Sequence, residues 1–309
     1  MRTTKILAST RLRPYGLQEA SLFARWAAEA EFDGAYLASP WPQADMGFLA
    51  AALHAQGLAL AATQLPLPEA PLVDGKRLPY WGSLDDPEER LAAIKLADQT
   101  LTRAKDFGCT WAFLDAFTIK LKAPSALFVQ SFAENRWDRD RSSHVAARPI
   151  LQAALKERAE FDERLCDAAR FSLERLARVA DARGVRVAVG HGVGPWQFPG
   201  PREVDLLLQE FRGAALMKAH LPARLDVLHT LGLLSAERRL ALAQAPFVMA
   251  TDAIGLRDDL TPGLGPQPLQ SPLRQSQDLG PQVVVVSGRS DTTQQELRAA
   301  VARVAGLVT

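Results

Sequence analysis

Phe247-Val248-Met249-Ala250-Thr251-Asp252 and, further on, Val283-Val284-Val285-Val286-Ser287-Gly288-Arg289 decide how this chain is read. Each is an apolar run of strand length that ends in polar residues. Between them lies a polar loop, Gly255 to Gly265, carrying Arg257 and Pro262-Gly263-Leu264-Gly265. A short, continuous apolar run bounded by turn residues fits a strand buried on both faces, as in a parallel sheet. Two such strands deliver polar residues at their carboxyl ends. In a parallel α/β barrel the loops after the strands share one mouth, where active sites are built.

The same unit recurs toward the amino end. Lys5 to Ala8 is a first apolar run, followed by Ser9, Thr10, Arg11 and Arg13. Phe23, Trp26, Ala27 and Ala30 then mark one face of a helix, and Phe32 to Ala38 forms a Gly-bounded entry into a second strand. A helix over Met46 to Gln56, closed by Gly57, leads to a strand at Leu58 to Thr63. Asp85 or Asp86 before Pro87 is a helix start, since a carboxylate caps the free N–H groups of a first turn that tolerates proline. That helix ends by Gly108, and Thr110 to Leu114 is the fourth strand, with Asp115 at its end. A further helix closed by Gly184 precedes Val185 to Val189, which runs into Gly190-His191-Gly192-Val193-Gly194-Pro195-Trp196. Pro201 to Phe211 is helical, and Ala214 to Met217 is a sixth strand ending in Lys218-Ala219-His220. Helices within Arg224 to Gln244 lead to the seventh strand, and a helix with Leu297, Ala300, Val301 and Val304 on one face follows the eighth.

Eight short apolar runs with helices between them predict a single (β/α)8 TIM barrel over residues 1–309. An open doubly wound sheet would usually carry a Gly-rich phosphate turn after its first strand, and Thr10-Arg11-Leu12-Arg13 is no such turn. The largest excursion is a long insertion after strand four, at about 116–157, where Lys120, Lys122, Arg136, Arg139, Arg141 and Arg148 interleave with Phe128, Phe132 and Trp137. It reads either as a lid over an anionic or polyhydroxylated ligand or as a solvated, helix-containing insertion or subunit contact.

Composition narrows the partners. Hydrophobic residues are 48% and charged residues 23%, the balance of a globular chain, and the formal net charge of +1 provides no field for nucleic acid or an anionic membrane. No apolar run reaches the length of a membrane span, and the amino end has no signal-peptide block, so a cytoplasmic location is the default expectation. The two cysteines, Cys109 and Cys166, stand far apart with no metal-binding spacing and read as reduced thiols.

The order of elements, with Phe32-Asp33-Gly34-Ala35-Tyr36-Leu37, Phe198-Pro199-Gly200-Pro201-Arg202-Glu203 before a Leu-rich helix, and Asp252 followed by Pro262-Gly263-Leu264-Gly265, resembles the xylose isomerase-like TIM barrels. The resemblance spans Lys5 to Val304 and implies a relative of sugar and sugar-phosphate isomerases and epimerases, a superfamily that also includes endonuclease IV. Active members typically hold divalent metal with Glu after strand five, Asp after strand six, His after strand seven and Glu after strand eight. Those positions align with Gly190, Met217, Met249 and Ser287, and a further Glu after strand two aligns with Tyr36. The usual ligands are absent, so no metal and no cofactor is expected.

The polar residues at the strand ends are the candidate site. His220 keeps the family's substrate-facing histidine, and with Lys218 and Asp252 it forms the catalytic candidate: an imidazole for proton transfer and a cation beside a developing oxyanion. Lys218 reads equally as the partner of Asp252 or Asp115. His191, Arg257, Tyr36, Asp115, Arg289 and Trp196 are candidate substrate contacts, the aromatics as flat walls for a sugar ring. A small-molecule ligand is the expected partner, and oligomeric state is left open. Two functions follow. One is a metal-independent isomerase, epimerase or lyase acting on a polyhydroxylated or carbonyl metabolite; the other is a non-catalytic pseudoenzyme that binds a metabolite or protein with the inherited pocket.

Overall fold

A computed structural model describes residues 4–12, 20–38, 41–70, 77–122, 144–211, 213–235, 245–254, 257–260, 262, 282–288 and 292–308. Eight parallel strands close into a barrel: β1 (Lys5–Ser9), β2 (Gly34–Leu37), β3 (Ala59–Leu65), β4 (Trp111–Leu114), β5 (Arg186–Val189), β6 (Leu216–His220), β7 (Phe247–Ala250) and β8 (Val283–Val286). Each pairs with its sequence neighbours, and β8 pairs back onto β1, from Lys5 opposite Val283 to Ala8 opposite Val286. Around it stand helices α1 (Ala20–Glu29), α2 (Met46–His54), α3 (Pro87–Asp106), α4 (His144–Ala159), α5 (Asp162–Arg183), α6 (Pro201–Glu210), α7 (Pro222–Thr230) and α8 (Gln294–Val308). The (β/α)8 barrel anticipated from the apolar runs is the observed architecture.

Local signals set the helix ends. Asp86 caps α3 by accepting the Glu89 N–H at 2.9 Å, with Pro87 in the first turn. Gly184 ends α5 in the left-handed region at φ 67°, which a side chain would oppose.

Strand alternation divides the core in two. One parity fills the barrel: Leu7, Tyr36, Trp111, Phe113, Ala188, Ala219, Phe247, Met249, Val283 and Val285 form one buried cluster, with Met217 packed against it. Phe247 is its centre, stacked on Phe113 at 5.8 Å and 7° and meeting Trp111 at 5.8 Å. The other parity packs outward, Ile6, Ala8, Val248 and Val284 beneath α1 and α8, and Ala112, Val187 and Val189 beneath α3 and α5. A residue's parity therefore decides whether it can reach the mouth.

Strand β6 departs from expectation. It continues to His220 instead of ending near Met217, with Lys218 in register with Val189 and His220 with Val248. The insertion after β4 begins with a two-residue ladder, Phe117–Thr118 against Gln197–Phe198, and ends in α4. Its residues 123–143 lie outside the described residues. After β7, Asp252–Ile254 pairs antiparallel with Arg257–Leu260.

Candidate functional site

At the carboxyl ends of the strands a cavity of about 70 Å³ is lined by Arg11, Tyr36, Phe113, Asp115, Leu221, Arg224, Met249, Thr251, Ser287 and Gly288. Its position follows from the fold, because Tyr36, Asp115, Met249, Thr251 and Ser287 share the inward parity at or just beyond the ends of β2, β4, β7 and β8.

Asp115 is the electrostatic centre. Arg224, at the start of α7, binds both of its carboxylate oxygens, one of them at 3.0 Å, and also donates to the His191 carbonyl at 2.8 Å. The Ala116 N–H donates to Asp115 at 2.8 Å, and the Trp81 indole N–H donates to the Asp115 carbonyl at 2.9 Å. Burial alone would raise the Asp115 pKa, but the charge and hydrogen bonds of Arg224, aided by Arg11, outweigh it and hold the carboxyl below its ordinary value. Tyr36, 2% exposed, is shifted the other way: burial raises its phenol above the ordinary range, against the opposing pull of Arg11. The cavity therefore presents an anion, a neutral phenol and two guanidiniums.

Arg11 is placed by the turn after β1. Its backbone N–H donates to Ser9 Oγ at 3.2 Å, while Thr10 Oγ1 exchanges hydrogen bonds with the backbone of Ala38 at the end of β2. Its guanidinium donates to Gln64 Oε1 at 3.2 Å.

Of the other described candidates, Lys218, His220, His191 and Trp196 are not part of the cavity lining. Lys218 has outward parity, and its ammonium meets Asp205 of α6 at 3.0 Å. His220 is fully buried, and its registry with outward-packed Val248 gives it the same parity. His191 is 4% exposed, with Nδ1 3.0 Å from the Gly192 carbonyl, and it takes part at the mouth through its own carbonyl. Trp196 packs beside Leu151, Leu231 and Leu233, away from the cavity. The backbone at Asp252 and Arg257 lies in the ladder after β7; their side chains, and Arg289 altogether, lie outside the described residues. Of the candidates, Tyr36 and Asp115 line the cavity. Arg11 and Arg224 were not singled out. Arg11 carries the signal of a strand-end residue, whereas Arg224 sits 109 positions from Asp115 with nothing local to pair them.

Among the described residues, those at the positions that the resemblance assigns to metal ligands do not fit a divalent metal centre. Of these positions, as the resemblance assigns them, Tyr36, Met249 and Ser287 line the cavity and Met217 packs in the barrel interior. A Cβ at Gly190 would lie 2.8 Å from the Phe113 ring, so that ring occupies the space a ligating side chain at 190 would enter. Asp115 is the cavity's one carboxylate among the described residues, and it is held by arginine. Among the described residues no group of three or more His, Cys, Asp or Glu side chains is placed to hold a metal ion.

No protein-family model and no curated protein matches the chain. Solved structures share its fold. The 3-keto-D-glucoside 4-epimerase YcjR from E. coli is 16% identical, with a TM-score of 0.63 over 98% of this chain and 99% of that one. The D-psicose 3-epimerase from Clostridium cellulolyticum H10, solved with D-tagatose, is 12% identical, with a TM-score of 0.64 over 99% of each chain. A xylose isomerase domain protein from Alicyclobacillus acidocaldarius is 15% identical, with a TM-score of 0.60 over 99% of each. The resemblance to xylose isomerase-like barrels thus holds at the level of fold. No described helix is long and apolar enough to cross a membrane.

Proposed function

We propose that the chain is a barrel of the sugar isomerase and epimerase type that binds a small polyhydroxylated or carbonyl metabolite at the β-strand mouth without a divalent metal. The observation that carries this reading is the Asp115–Arg224 pair, with Arg11 and Tyr36 beside it, on a cavity at the strand carboxyl ends. A carboxylate accepts from sugar hydroxyls, and guanidinium N–H groups donate to carbonyl or hydroxyl oxygens. Thr251 and Ser287 add hydroxyls, while Phe113, Leu221 and Met249 offer apolar surface to the C–H face of a sugar.

Proton transfer at neutral pH needs a group that titrates near it. Asp115 is held low and Tyr36 high, and Lys218 and His220 have outward parity. Among the described residues, this favours the pseudoenzyme reading. The second reading is a metal-independent isomerase, favoured by two guanidiniums at the same cavity as a carboxylate, which would stabilise a developing enolate.

Ligand-observed NMR of the chelator-treated protein with D-psicose, D-tagatose and D-fructose tests the proposal. Saturable binding that is lost in Asp115→Asn is expected, and no binding by any polyol or ketose would remove it. Deuterium incorporation from D₂O into a bound ketose would decide for the isomerase.

A further inference from the structure

We infer that Arg11 forms an anionic subsite at the barrel mouth, so that the ligand is a sugar derivative bearing a carboxylate or phosphate. The inference rests on the metabolite-binding reading above and names the ligand class for that same cavity. Its starting point is a charge count: Arg11 and Arg224 against Asp115 leave the described cavity lining with one excess positive charge. The two arginines differ in what they face. Arg224 is committed to both oxygens of Asp115 and to the His191 carbonyl. Arg11 donates to the neutral Gln64 amide oxygen and acts on Asp115 only through space, and among the described residues no carboxylate lies within ion-pair distance of it.

The subsite is also built in place. The turn over Thr10–Leu12 is anchored by buried Leu12 and by the paired hydrogen bonds of Thr10 with Ala38, so the Arg11 backbone is fixed between the ends of β1 and β2. Gln64, next to the last residue of β3, holds the guanidinium from the third strand. Three strand ends therefore aim one cation at the rim of a cavity whose floor includes Tyr36, Met249 and Ser287. Guanidinium presents parallel N–H donors that match carboxylate or phosphate oxygens, and such charge-assisted bonds are stronger than neutral ones. A neutral sugar would leave that cation facing hydroxyls, whereas an acid would neutralise it.

Titration calorimetry of the full chain with D-gluconate, D-glucose 6-phosphate, D-glucose and D-fructose tests this, in wild type, Arg11→Gln and Arg11→Lys. At least one acid is expected to bind on the order of tenfold tighter than the neutral sugars, a factor equivalent to a charge-assisted hydrogen bond at a solvent-facing site. The preference should vanish in Arg11→Gln, survive in part in Arg11→Lys and weaken with added salt. Circular dichroism melting establishes that the variants are folded, as an exposed side chain on an anchored turn should allow. Equal affinity for acids and neutral sugars would overturn the anionic subsite and leave the sugar-binding reading standing. An acid preference that persists in Arg11→Gln would overturn the assignment to Arg11. Binding by none of the four would overturn both. The carboxylate and phosphate arms separate the two sources of negative charge.

Discussion

Replacing Asp115 by Asn keeps the side-chain volume and removes the charge that holds Arg224. The Arg224 side chain is 16% exposed and that of Asp115 28%, so the pair lies between two limits. Breaking a fully buried pair costs about 3–5 kcal/mol, and exposed pairs are worth about 0–1 kcal/mol. Discounting for the remaining solvent contact gives about 2 kcal/mol. Unfolding entropy of about 2.1 cal/mol/K per residue makes this a fall of about 3 °C in Tm for a chain of 309 residues. Urea denaturation of wild type, Asp115→Asn, Arg224→Gln and the double variant should show a coupling of at least ~1 kcal/mol. The pH dependence has a definite sign. The folded-state pKa of Asp115 is lowered, so its contribution is fully present above the unfolded value of about 3.9 and is lost as pH falls through the depressed folded value. The gap between wild type and Asp115→Asn should therefore be constant at neutral pH and close in acid. Single and double variants that add independently, with a gap that does not change with pH, would refute the electrostatic account of the mouth.

Other consequences are accessible by simple measurements. Gly190→Ala should cost about 1–3 kcal/mol in urea, because its Cβ would lie 2.8 Å from a Phe113 ring stacked on Phe247. The same change in a Phe113→Ala background should cost less, and an unchanged penalty would contradict the assigned clash. Cys109 is 3% exposed and burial pushes its thiol up to about 12, so it should resist a thiol reagent at pH 8 until the chain unfolds; Cys166, half-buried and also raised, should react slowly in the native state. Lys218→Met should lower stability by at most about 1 kcal/mol, since its ion pair with Asp205 is partly solvated. It should leave affinity for any mouth ligand within about twofold, as expected of a side chain of outward parity; a larger loss would return Lys218 to the site.

The barrel was legible because its strands are short apolar runs separated by helical periodicity, and both patterns are local. Pro87 after Asp86 and Gly184 after α5 marked their helix ends for the same reason. Asp115 was visible as a strand-end residue and Tyr36 as an aromatic wall, and inward parity is what brings both to the cavity. Lys218 and His220 show where this reasoning fails. The strand was expected to end before them, but β6 runs on through them, and continuing the period-two alternation past Met217 gives both the outward parity. Arg224 could not be found locally. It enters the site because the start of α7 folds back over the mouth and meets a carboxylate from β4, a pairing set by barrel closure. Arg11 was visible as a polar residue after β1, but its role depends on the ends of β2 and β3, which only the closed sheet brings beside it.

In the proposed function, this mouth recognises its ligand with arginine, carboxylate and hydroxyl groups in place of a metal. Elemental analysis of protein purified without chelator and then dialysed against Mn²⁺ or Zn²⁺, paired with ligand titrations before and after chelation, tests it most directly. Substoichiometric metal and one ligand affinity throughout are expected. Near-stoichiometric metal, with ligand binding that disappears on chelation, would contradict it.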